Sequence, residues 1–281
     1  MKNKVAFFSV VFPAIESYLD DYRNSLLTQT FKEFDLVLVN DGFNQEFLLD
    51  FFKDFNLVVL SPGETRAKHR EVGIRYAKQA GYNYLILGDA DDYFSNMRIA
   101  ISVENLQKEG VDIVVNDLTI VNERKEVITQ DYFSRRINKS TILDAEYLVD
   151  KNLFGLSNTA IKLTNIHEIR IPSSLKIVDW FLFSYLLESG AKSLFINHSL
   201  TYYRQHECNA IGINKMSVEA FKRQLNLKVD HFMHLSEFYP KYEEEYKKSL
   251  NLLQLDDSAI ETIISAKRNI PNPLWWEIVN Y

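Results

Sequence analysis

This chain of 281 residues contains a single cysteine, Cys208. A single cysteine excludes an internal disulfide and fits a reducing compartment. No stretch approaches the roughly 18 consecutive apolar residues that a membrane-spanning helix needs. The apolar stretch Val5–Phe12 follows a basic start but lacks a small-residue cleavage site, so it is predicted to be a strand and not a signal peptide. We therefore expect a cytoplasmic protein, with peripheral contact with the inner face of the membrane left open.

Positive charge and glycine are also scarce. The chain has 32 Lys and Arg against 38 Asp and Glu, and this formal net charge of -6 argues against a nucleic-acid partner. Among the nine glycines, Gly63 and Gly73 are not spaced as in the phosphate-cradling loop of a Walker or dinucleotide motif. The 46% share of hydrophobic residues is ordinary for a globular protein and suffices for a large core.

The first half of the sequence alternates short apolar stretches with longer mixed segments, which is typical of βα units around a mostly parallel sheet. Strands are predicted at Val5–Phe12, Phe34–Asn40, Leu57–Leu60, Tyr84–Leu87 and Asp112–Asn116. Helices are predicted at Ile15–Gln29, Gln45–Phe55, Thr65–Ala80 and Met97–Glu109, with Gly81 and Gly110 ending the last two. Because ligands of such sheets bind beyond the carboxyl ends of the strands, the residues at those ends are candidates for a site.

This alternation stops near Leu118. A hairpin is predicted over Leu118–Gln130, and helices over Asp144–Asn152 and Asp179–Glu188, the second opened by an acidic cap. Further helices are predicted at Val218–Phe238, Tyr242–Leu253 and Ser258–Asn269. The aromatic tail Pro271–Tyr281 is expected to dock on the body of the protein, with a membrane surface or a partner as the alternatives.

Negative charge is densest at Asp89, Asp91 and Asp92, which follow the apolar stretch Tyr84–Leu87 and Gly88. Carboxylates this close repel one another, and each stays ionised at neutral pH only if water, hydrogen-bond donors or a cation balances it. A divalent cation with oxygen ligands is the simplest such partner. A solvated turn that caps the next helix is the alternative.

Several stretches match one known family in the right order. They are the first strand ending in Phe12-Pro13, the stretch Ser25–Phe31 leading into Asp35–Gly42, the residues Arg70, Gly73 and Ile74, and Asp89-Ala90-Asp91-Asp92. This ordered set, across residues 5–92, resembles the family 2 glycosyltransferases of the GT-A fold, which move a sugar from a nucleotide diphosphate to an acceptor hydroxyl. The resemblance implies an α/β fold with a Rossmann-like, mostly parallel sheet flanked by helices, to which the sequence adds a helical C-terminal extension.

The resemblance also implies a role for individual residues. It assigns nucleotide binding to Phe12, Asp41, Arg70, Asp89 and Asp91, and Mn²⁺ or Mg²⁺ to Asp91, Asp92 and His206. Which of the three aspartates binds the metal and which the ribose is left open by the sequence. A UDP-sugar is favoured, because a carboxylate such as Asp41 can accept the imide N–H of uracil. Asn40 and Phe43 depart from the usual pattern around Asp41, which leaves the identity of the base open. The simpler alternatives are a turn residue for Asp41 and a solvated helix charge for Arg70.

In the second half, the resemblance assigns the general base to Asp179, although Val178 stands where many members have Glu. Such a base takes the proton of the acceptor hydroxyl, which attacks the anomeric carbon and inverts its configuration. A helix cap is the structural alternative for Asp179. Trp180 is suited to stacking on a sugar or to filling the core, and Arg204 and His206, two residues apart on a strand, would both reach the diphosphate or its metal.

We therefore predict an inverting, metal-dependent glycosyltransferase acting on a glycan or lipid-linked glycan in bacterial cell-surface polysaccharide synthesis. Residues 1–213 would be the GT-A domain, with a nucleotide-binding half (1–117) and an acceptor half (118–213), and residues 214–281 a helical extension open to a membrane or a second copy of the chain. A sugar nucleotidyltransferase should have a Gly-rich loop where Phe12-Pro13-Ala14 stands. An aspartyl-nucleophile phosphatase should have its aspartates after the first strand. A non-catalytic nucleotide-sugar-binding protein remains the alternative.

Overall fold

The computed structural model describes residues 3–205, 217–267 and 274–277. The strands are β1 (Val5–Val11), β2 (Phe34–Asn40), β3 (Asn56–Leu60), β4 (Tyr84–Leu87), β5 (Tyr93–Phe94), β6 (Ile113–Asn122), β7 (Val127–Thr129), β8 (Thr141–Leu143), β9 (Thr159–Lys162) and β10 (Ser193–Gln205). The helices are α1 (Leu19–Leu27), α2 (Gln45–Phe51), α3 (Arg66–Gln79), α4 (Arg98–Leu106), α5 (Val178–Glu188), α6 (Val218–Ser236), α7 (Tyr242–Leu253) and α8 (Asp257–Lys267).

These strands form one mixed sheet in the order β3-β2-β1-β4-β9-β6-β10-β5, with β7 paired to β6 and β8 to β10. The four strands β3, β2, β1 and β4 are parallel, and so are β6 and β10. The strand β9 separates the two parallel groups because it runs antiparallel to both β4 and β6. The mostly parallel sheet predicted from the sequence is therefore confirmed, and the carboxyl ends of β1, β2 and β4 meet at one edge.

Helices cover both faces of the sheet, which explains why every residue of β1 is buried. Side chains of β1 alternate between two apolar layers: Phe8 joins the layer that contains Ile74 of α3, and Phe7 joins the layer that contains Tyr22 of α1. A strand buried on both faces reads as a continuous apolar stretch and not as an alternating one. This is the pattern by which the sequence identified β1.

Most of the predicted elements are confirmed, with bounds shifted by a few residues. The predicted hairpin is the pair β6 and β7, which turns after Asn122. The predicted helix Asp144–Asn152 is wrong, since only a single 3-10 turn forms at Glu146–Leu148. Asn152 instead makes an antiparallel bridge with Trp275, and such pairing needs extended backbone at the end of this stretch. The strands β5, β8 and β9 were not predicted, and of β10 only the end at Arg204 was.

Of the three C-terminal helices, α6 and α7 contribute to the core of the α/β body, and α8 packs on α6. Phe232 and Leu235 of α6 lie in the same apolar cluster as the strand residues, and α6 packs on α8 through a smaller cluster that contains Phe221 and Ile263. The tail is docked on the body over residues 274–277, as predicted. In the part of the chain that the structure describes, no helix is both long and apolar enough to cross a membrane.

Candidate active site

Three aspartates lie where the sheet's carboxyl edge meets α3. Gly88 leads from β4 to Asp89, and no side chain fits there, because a Cβ would lie 2.4 Å from the ring of Phe7. Arg70 of α3 reaches Asp89, with its Nη2 3.0 Å from Oδ1. Burial raises the pKa of Asp89 to about 6, with Arg70 opposing the rise and Asp91 adding to it. The structure therefore brings Arg70 and the aspartate loop together.

The position of Arg70 depends on a glycine one helical turn away. A Cβ on Gly73 would lie 2.1 Å from the ring of Phe8, so only glycine allows α3 to approach β1 this closely. The helix begins at Thr65, whose side chain accepts a hydrogen bond from the Lys68 amide at 3.3 Å. The Arg-x-x-Gly spacing seen in the sequence thus has a packing reason beside its proposed binding role.

Asp92 points into the protein and is only 1% exposed. Its Oδ1 accepts a hydrogen bond from the backbone N–H of Arg204 at 2.7 Å. Its Oδ2 has no hydrogen-bond partner among the described residues. Burial and the charge of Asp91 raise the pKa of Asp92 well above its usual range. Asp92 therefore fastens the aspartate loop to β10.

Arg204 does not reach into the cavity next to Asp89, contrary to the predicted diphosphate contact. Its side chain is 2% exposed, and its Nη2 lies 2.9 Å from Oδ2 of Asp21. Its Nε and Nη1 donate to the carbonyls of Asp91 and Glu123 at 2.9 and 3.0 Å. This buried guanidinium, with all three acceptors supplied by the protein, holds the loop in place instead of binding substrate. His206, the other residue predicted here, lies outside the described residues.

A divalent cation fits the chemistry of this loop. No group of three or more His, Cys, Asp and Glu side chains in the described ranges is arranged to hold a metal by itself. Mg²⁺, however, is commonly held by one or two carboxylates together with substrate phosphates, and hard oxygen donors suit both Mg²⁺ and Mn²⁺. The charge of Asp91 raises the pKa of both Asp89 and Asp92, so a cation beside Asp91 would offset repulsion at three carboxyl groups.

Asp41 lies at the end of β2, next to a histidine that the sequence did not single out. The His69 Nε2 of α3 lies 3.1 Å from Asp41 Oδ2, and the imidazole is almost fully buried while the carboxylate is 44% exposed. The backbone N–H of Asp41 also donates to the Val11 carbonyl at 2.8 Å, which ties the loop to β1. His69 thus orients a carboxylate that faces solvent. Phe12, at the end of β1, is half-buried against the α1 side of the sheet.

Asp179 lies in the first turn of α5 and faces the aspartate loop. The Asn152 Nδ2 donates to its Oδ2 at 3.2 Å. Burial raises the pKa of Asp179 to about 7; the Trp180 backbone N–H lowers it and the charge of Asp89 raises it further. A carboxyl group with a pKa near neutrality can both accept and release a proton under physiological conditions. Asn152 was not identified from the sequence, because it meets Asp179 only in the fold.

Trp180, predicted to stack on a sugar or to fill the core, fills the core. Its ring is fully buried, and its Nε1 donates to the Leu148 carbonyl at 2.7 Å. It stacks on His231 of α6 with ring centroids 4.0 Å apart. The ring joins α5 to α6 and is sealed from the cavity, so the predicted acceptor contact is wrong.

One cavity of about 540 Å³ joins several of these residues. Arg70, Asp89 and Asp179 line it, together with Tyr203 of β10 and Trp275 of the C-terminal segment. Asp41 and Phe12 are not among its lining residues. Burial and the surrounding aspartates raise the pKa of Tyr203 well above its usual range, so its phenol remains a hydrogen-bond donor. Neither Tyr203 nor Trp275 was predicted from the sequence as a site residue.

Solved structures share this arrangement of strands and helices. S. aureus TarS 1-349 in complex with UDP-GlcNAc is 16% identical with a TM-score of 0.61, over 88% of this chain and 72% of that one. GalNAc-T7 with UDP, GalNAc and Mn²⁺ is 17% identical with a TM-score of 0.58, over 95% of this chain and 55% of that one. The mannosyltransferase PcManGT from Pyrobaculum calidifontis, in complex with GDP-Man and Mn²⁺, is 13% identical with a TM-score of 0.54, over 96% and 77%.

At sequence identities this low, the similarity to solved structures shows only a shared fold. The family is assigned from the sequence itself. A comparison with curated proteins found no match. The sequence profile of glycosyl transferase family 2 matches residues 9–158, which is more than half of the chain and includes Asp41, Arg70 and the aspartate loop. The protein therefore belongs to glycosyl transferase family 2, with the GT-A fold expected for that family.

Proposed function

We propose that this protein is an inverting glycosyltransferase that moves a sugar from a UDP-sugar to a hydroxyl of a glycan or lipid-linked glycan. The observation that carries the proposal is the shared cavity. Asp179, whose pKa is raised to about 7, lines the same cavity as Arg70 and Asp89, the residues expected to meet the donor. A base and a donor site on one cavity are what direct transfer requires.

Asp179 is the proposed general base. Its carboxylate takes the proton of the acceptor hydroxyl while that oxygen forms a bond to the anomeric carbon. The bond from that carbon to the diphosphate oxygen breaks on the opposite face, and the electron pair leaves with the nucleotide diphosphate. Configuration is inverted because attack and departure occur on opposite faces. The hydrogen bond from Asn152 orients the carboxylate for this step.

Arg70 and Asp41 are the proposed nucleotide ligands. Arg70 is a planar double donor suited to a diphosphate, and its ion pair with Asp89 holds it at the cavity. Asp41 presents a solvent-facing carboxylate, oriented by His69, that can accept the imide N–H of uracil. UDP is favoured because TarS and GalNAc-T7 are described with UDP or a UDP-sugar, whereas PcManGT is described with GDP-Man.

Asp91 with Asp89 would hold the divalent cation, and Asp92, predicted from the sequence as a ligand, would support the loop through its buried contact with β10. When bound, Mn²⁺ or Mg²⁺ would supply positive charge for the departing diphosphate. The structures of GalNAc-T7 and PcManGT are described with Mn²⁺, which supports a divalent metal here. Arg204 and the Asp92 contact with β10 keep the loop in position whether or not a cation is present.

The division of labour along the chain follows from these roles. We assign donor binding to residues 1–117, acceptor binding to residues 118–213, and support of the acceptor half to the helices after residue 213. A bacterial cell-surface polysaccharide or a lipid-linked glycan is the proposed product, made at the cytoplasmic side of a membrane. Contact with that membrane, or with a second copy of the chain, is assigned to the C-terminal helices.

Donor binding can be tested by thermal unfolding with UDP, UDP-GlcNAc and GDP-Man, each with Mn²⁺ or with EDTA. A ligand at 100 times its dissociation constant stabilises the folded state by about 2.7 kcal/mol. We expect UDP ligands with Mn²⁺ to raise Tm, and chelation or Asp91→Ala to remove most of the shift. Asp50→Ala is the matched control, since Asp50 is 81% exposed on α2. Equal shifts with EDTA and in Asp91→Ala would refute the metal site, and no shift with any nucleotide would refute the donor.

A further inference from the structure

The C-terminal segment Leu274–Glu277 is fixed against the acceptor half by contacts at each of its described residues. The backbone N–H of Asn152 donates to the Trp275 carbonyl at 2.8 Å. Trp276 stacks on Trp180 with ring centroids 6.0 Å apart. Glu277 forms an ion pair with Arg136 and accepts a hydrogen bond from the Leu274 backbone N–H at 3.0 Å. The segment is therefore built into the fold at this point.

The ring of Trp275 packs against three neighbouring residues. Phe133 meets it edge-on with centroids 5.2 Å apart, and Tyr203 lies at 5.6 Å. Gly155 passes beneath, where an added Cβ would lie 3.0 Å from Cζ3 of the indole. Packing on these sides fixes the ring, and its half-exposed remainder forms part of the cavity wall.

Trp275 is linked to the proposed base through one residue. Asn152 contacts the Trp275 carbonyl with its backbone N–H, and its Nδ2 donates to Asp179 at 3.2 Å. The indole consequently lies on the Asp179 side of the cavity, where the acceptor must enter. Asp41 and His69, the pair proposed to recognise the nucleobase, do not line this cavity. The aromatic wall is therefore not placed to contact the nucleobase.

We propose that Trp275 is the acceptor-binding platform of this enzyme and that the acceptor group bound there is a pyranose ring. A pyranose has an apolar C–H face that fits an aromatic ring and a rim of hydroxyls that needs polar partners. The cavity offers both, with Trp275 and Tyr203 on one wall and Ser157, Ser173 and Asp179 among its polar lining. This inference rests on the proposed glycosyltransferase function and names the substrate class for its acceptor side.

The chain contains three tryptophans, which makes the contact directly observable. Protein labelled with 5-fluorotryptophan gives one ¹⁹F signal per indole, and Trp275→Phe assigns the signal of interest. The probes are methyl α- and β-glycopyranosides of glucose, galactose, mannose and N-acetylglucosamine, added with UDP and Mn²⁺ present, and the open-chain polyol mannitol is the control. We expect at least one glycoside to shift the Trp275 signal saturably, while the buried Trp180 signal and the mannitol spectra stay unchanged.

Kinetics provide an independent readout. For a glycoside that accepts sugar, Trp275→Leu should raise its KM about two- to tenfold and by more than Trp275→Phe does, because an aromatic contact is worth about that factor beyond the area it buries. The thermal shift produced by UDP with Mn²⁺ should be the same in both variants and the wild type, which shows that the fold and donor site are intact.

Two outcomes would overturn the proposal: no glycoside moves the Trp275 signal, or Trp275→Leu and the wild type share one acceptor KM. Failure of the proposed function looks different, because then UDP ligands would produce no thermal shift and donor would not be consumed by the wild type. A UDP shift without any glycoside response at Trp275 therefore rejects the platform alone.

Discussion

Replacing Asp179 by Asn separates the effect of this carboxyl group on stability from its effect on turnover. Burial is the main reason that the pKa of Asp179 rises from 3.8 to about 7 in the folded protein, with the Trp180 backbone N–H opposing it. Each pKa unit corresponds to about 1.4 kcal/mol. Ionising Asp179 in the folded protein is therefore less favourable than in the unfolded chain by at most about 4 kcal/mol. Asn removes this penalty and keeps an acceptor for Asn152.

The pH window of this effect follows from the raised pKa. The unfolded chain loses the Asp179 proton near its ordinary pKa of 3.8, and the folded protein loses it near 7. The folded protein thus holds more protons between these values, so its free energy of unfolding falls as pH rises through them and levels off above. Relative to the wild type, we expect the stability advantage of Asp179→Asn to grow from less than about 1 kcal/mol at pH 4 to at most about 4 kcal/mol at pH 8.

Activity should change in the opposite direction. Loss of a general base typically lowers turnover by about 10²- to 10⁴-fold, and the dissociation constant for UDP should stay within about twofold because Asp179 does not hold the nucleotide in our proposal. Urea unfolding at pH 4, 6 and 8 measures the stability, and release of UDP from the donor measures turnover. Asp50→Asn, an exposed carboxylate on α2, is the control and should alter neither.

Two results would refute this reasoning. A stability difference that stays constant from pH 4 to pH 8 would mean that the Asp179 carboxylate is hydrated in the folded protein. Normal turnover of Asp179→Asn would remove Asp179 from the role of base.

Three further substitutions test the supports of the site. Arg204→Met should lower the free energy of unfolding by about 1–3 kcal/mol in urea titrations, because it removes the donor of three part-buried hydrogen bonds; an unchanged midpoint would contradict this. His69→Ala should weaken UDP binding about tenfold in calorimetry because it releases Asp41, and His69→Gln should be nearer the wild type. Equal UDP affinities of His69→Ala and the wild type would show that His69 does not contribute to nucleotide binding. Gly73→Ala should lose about 1–3 kcal/mol through its clash with Phe8, and a melting curve like the wild type would show that α3 can move away at little cost.

The features that the sequence predicted are local ones. The strand Tyr84–Leu87 and its aspartates occupy adjacent positions, so apolar pattern and charge density identify them without knowledge of the fold. The parallel strands β1 and β2 are identified from the sequence in the same way, because each is a continuous apolar stretch. Parallel strands in register then place Asp41 and Asp89 at one edge of the sheet, so this placement follows from periodicity and chain order.

The features that the sequence missed depend on contacts between distant parts of the chain. Arg204 meets Asp21, 183 residues away, and this contact turns a residue predicted to bind ligand into a structural anchor. Trp180 pairs with His231 of a later helix, which draws its ring into the core. Trp275 joins the cavity through a bridge to Asn152, and no spacing rule connects two such positions.

The docking of Leu274–Glu277 has a consequence for the pKa of Asp179. Burial is the largest cause of the high pKa of Asp179, and Trp275 and Trp276 line the same cavity as Asp179. A chain shortened before residue 274 would hydrate that carboxyl group and return its pKa toward the ordinary value. The lower limb of the pH–rate profile would then move to more acidic pH, so a simple titration of activity would report whether the C-terminal segment is in place.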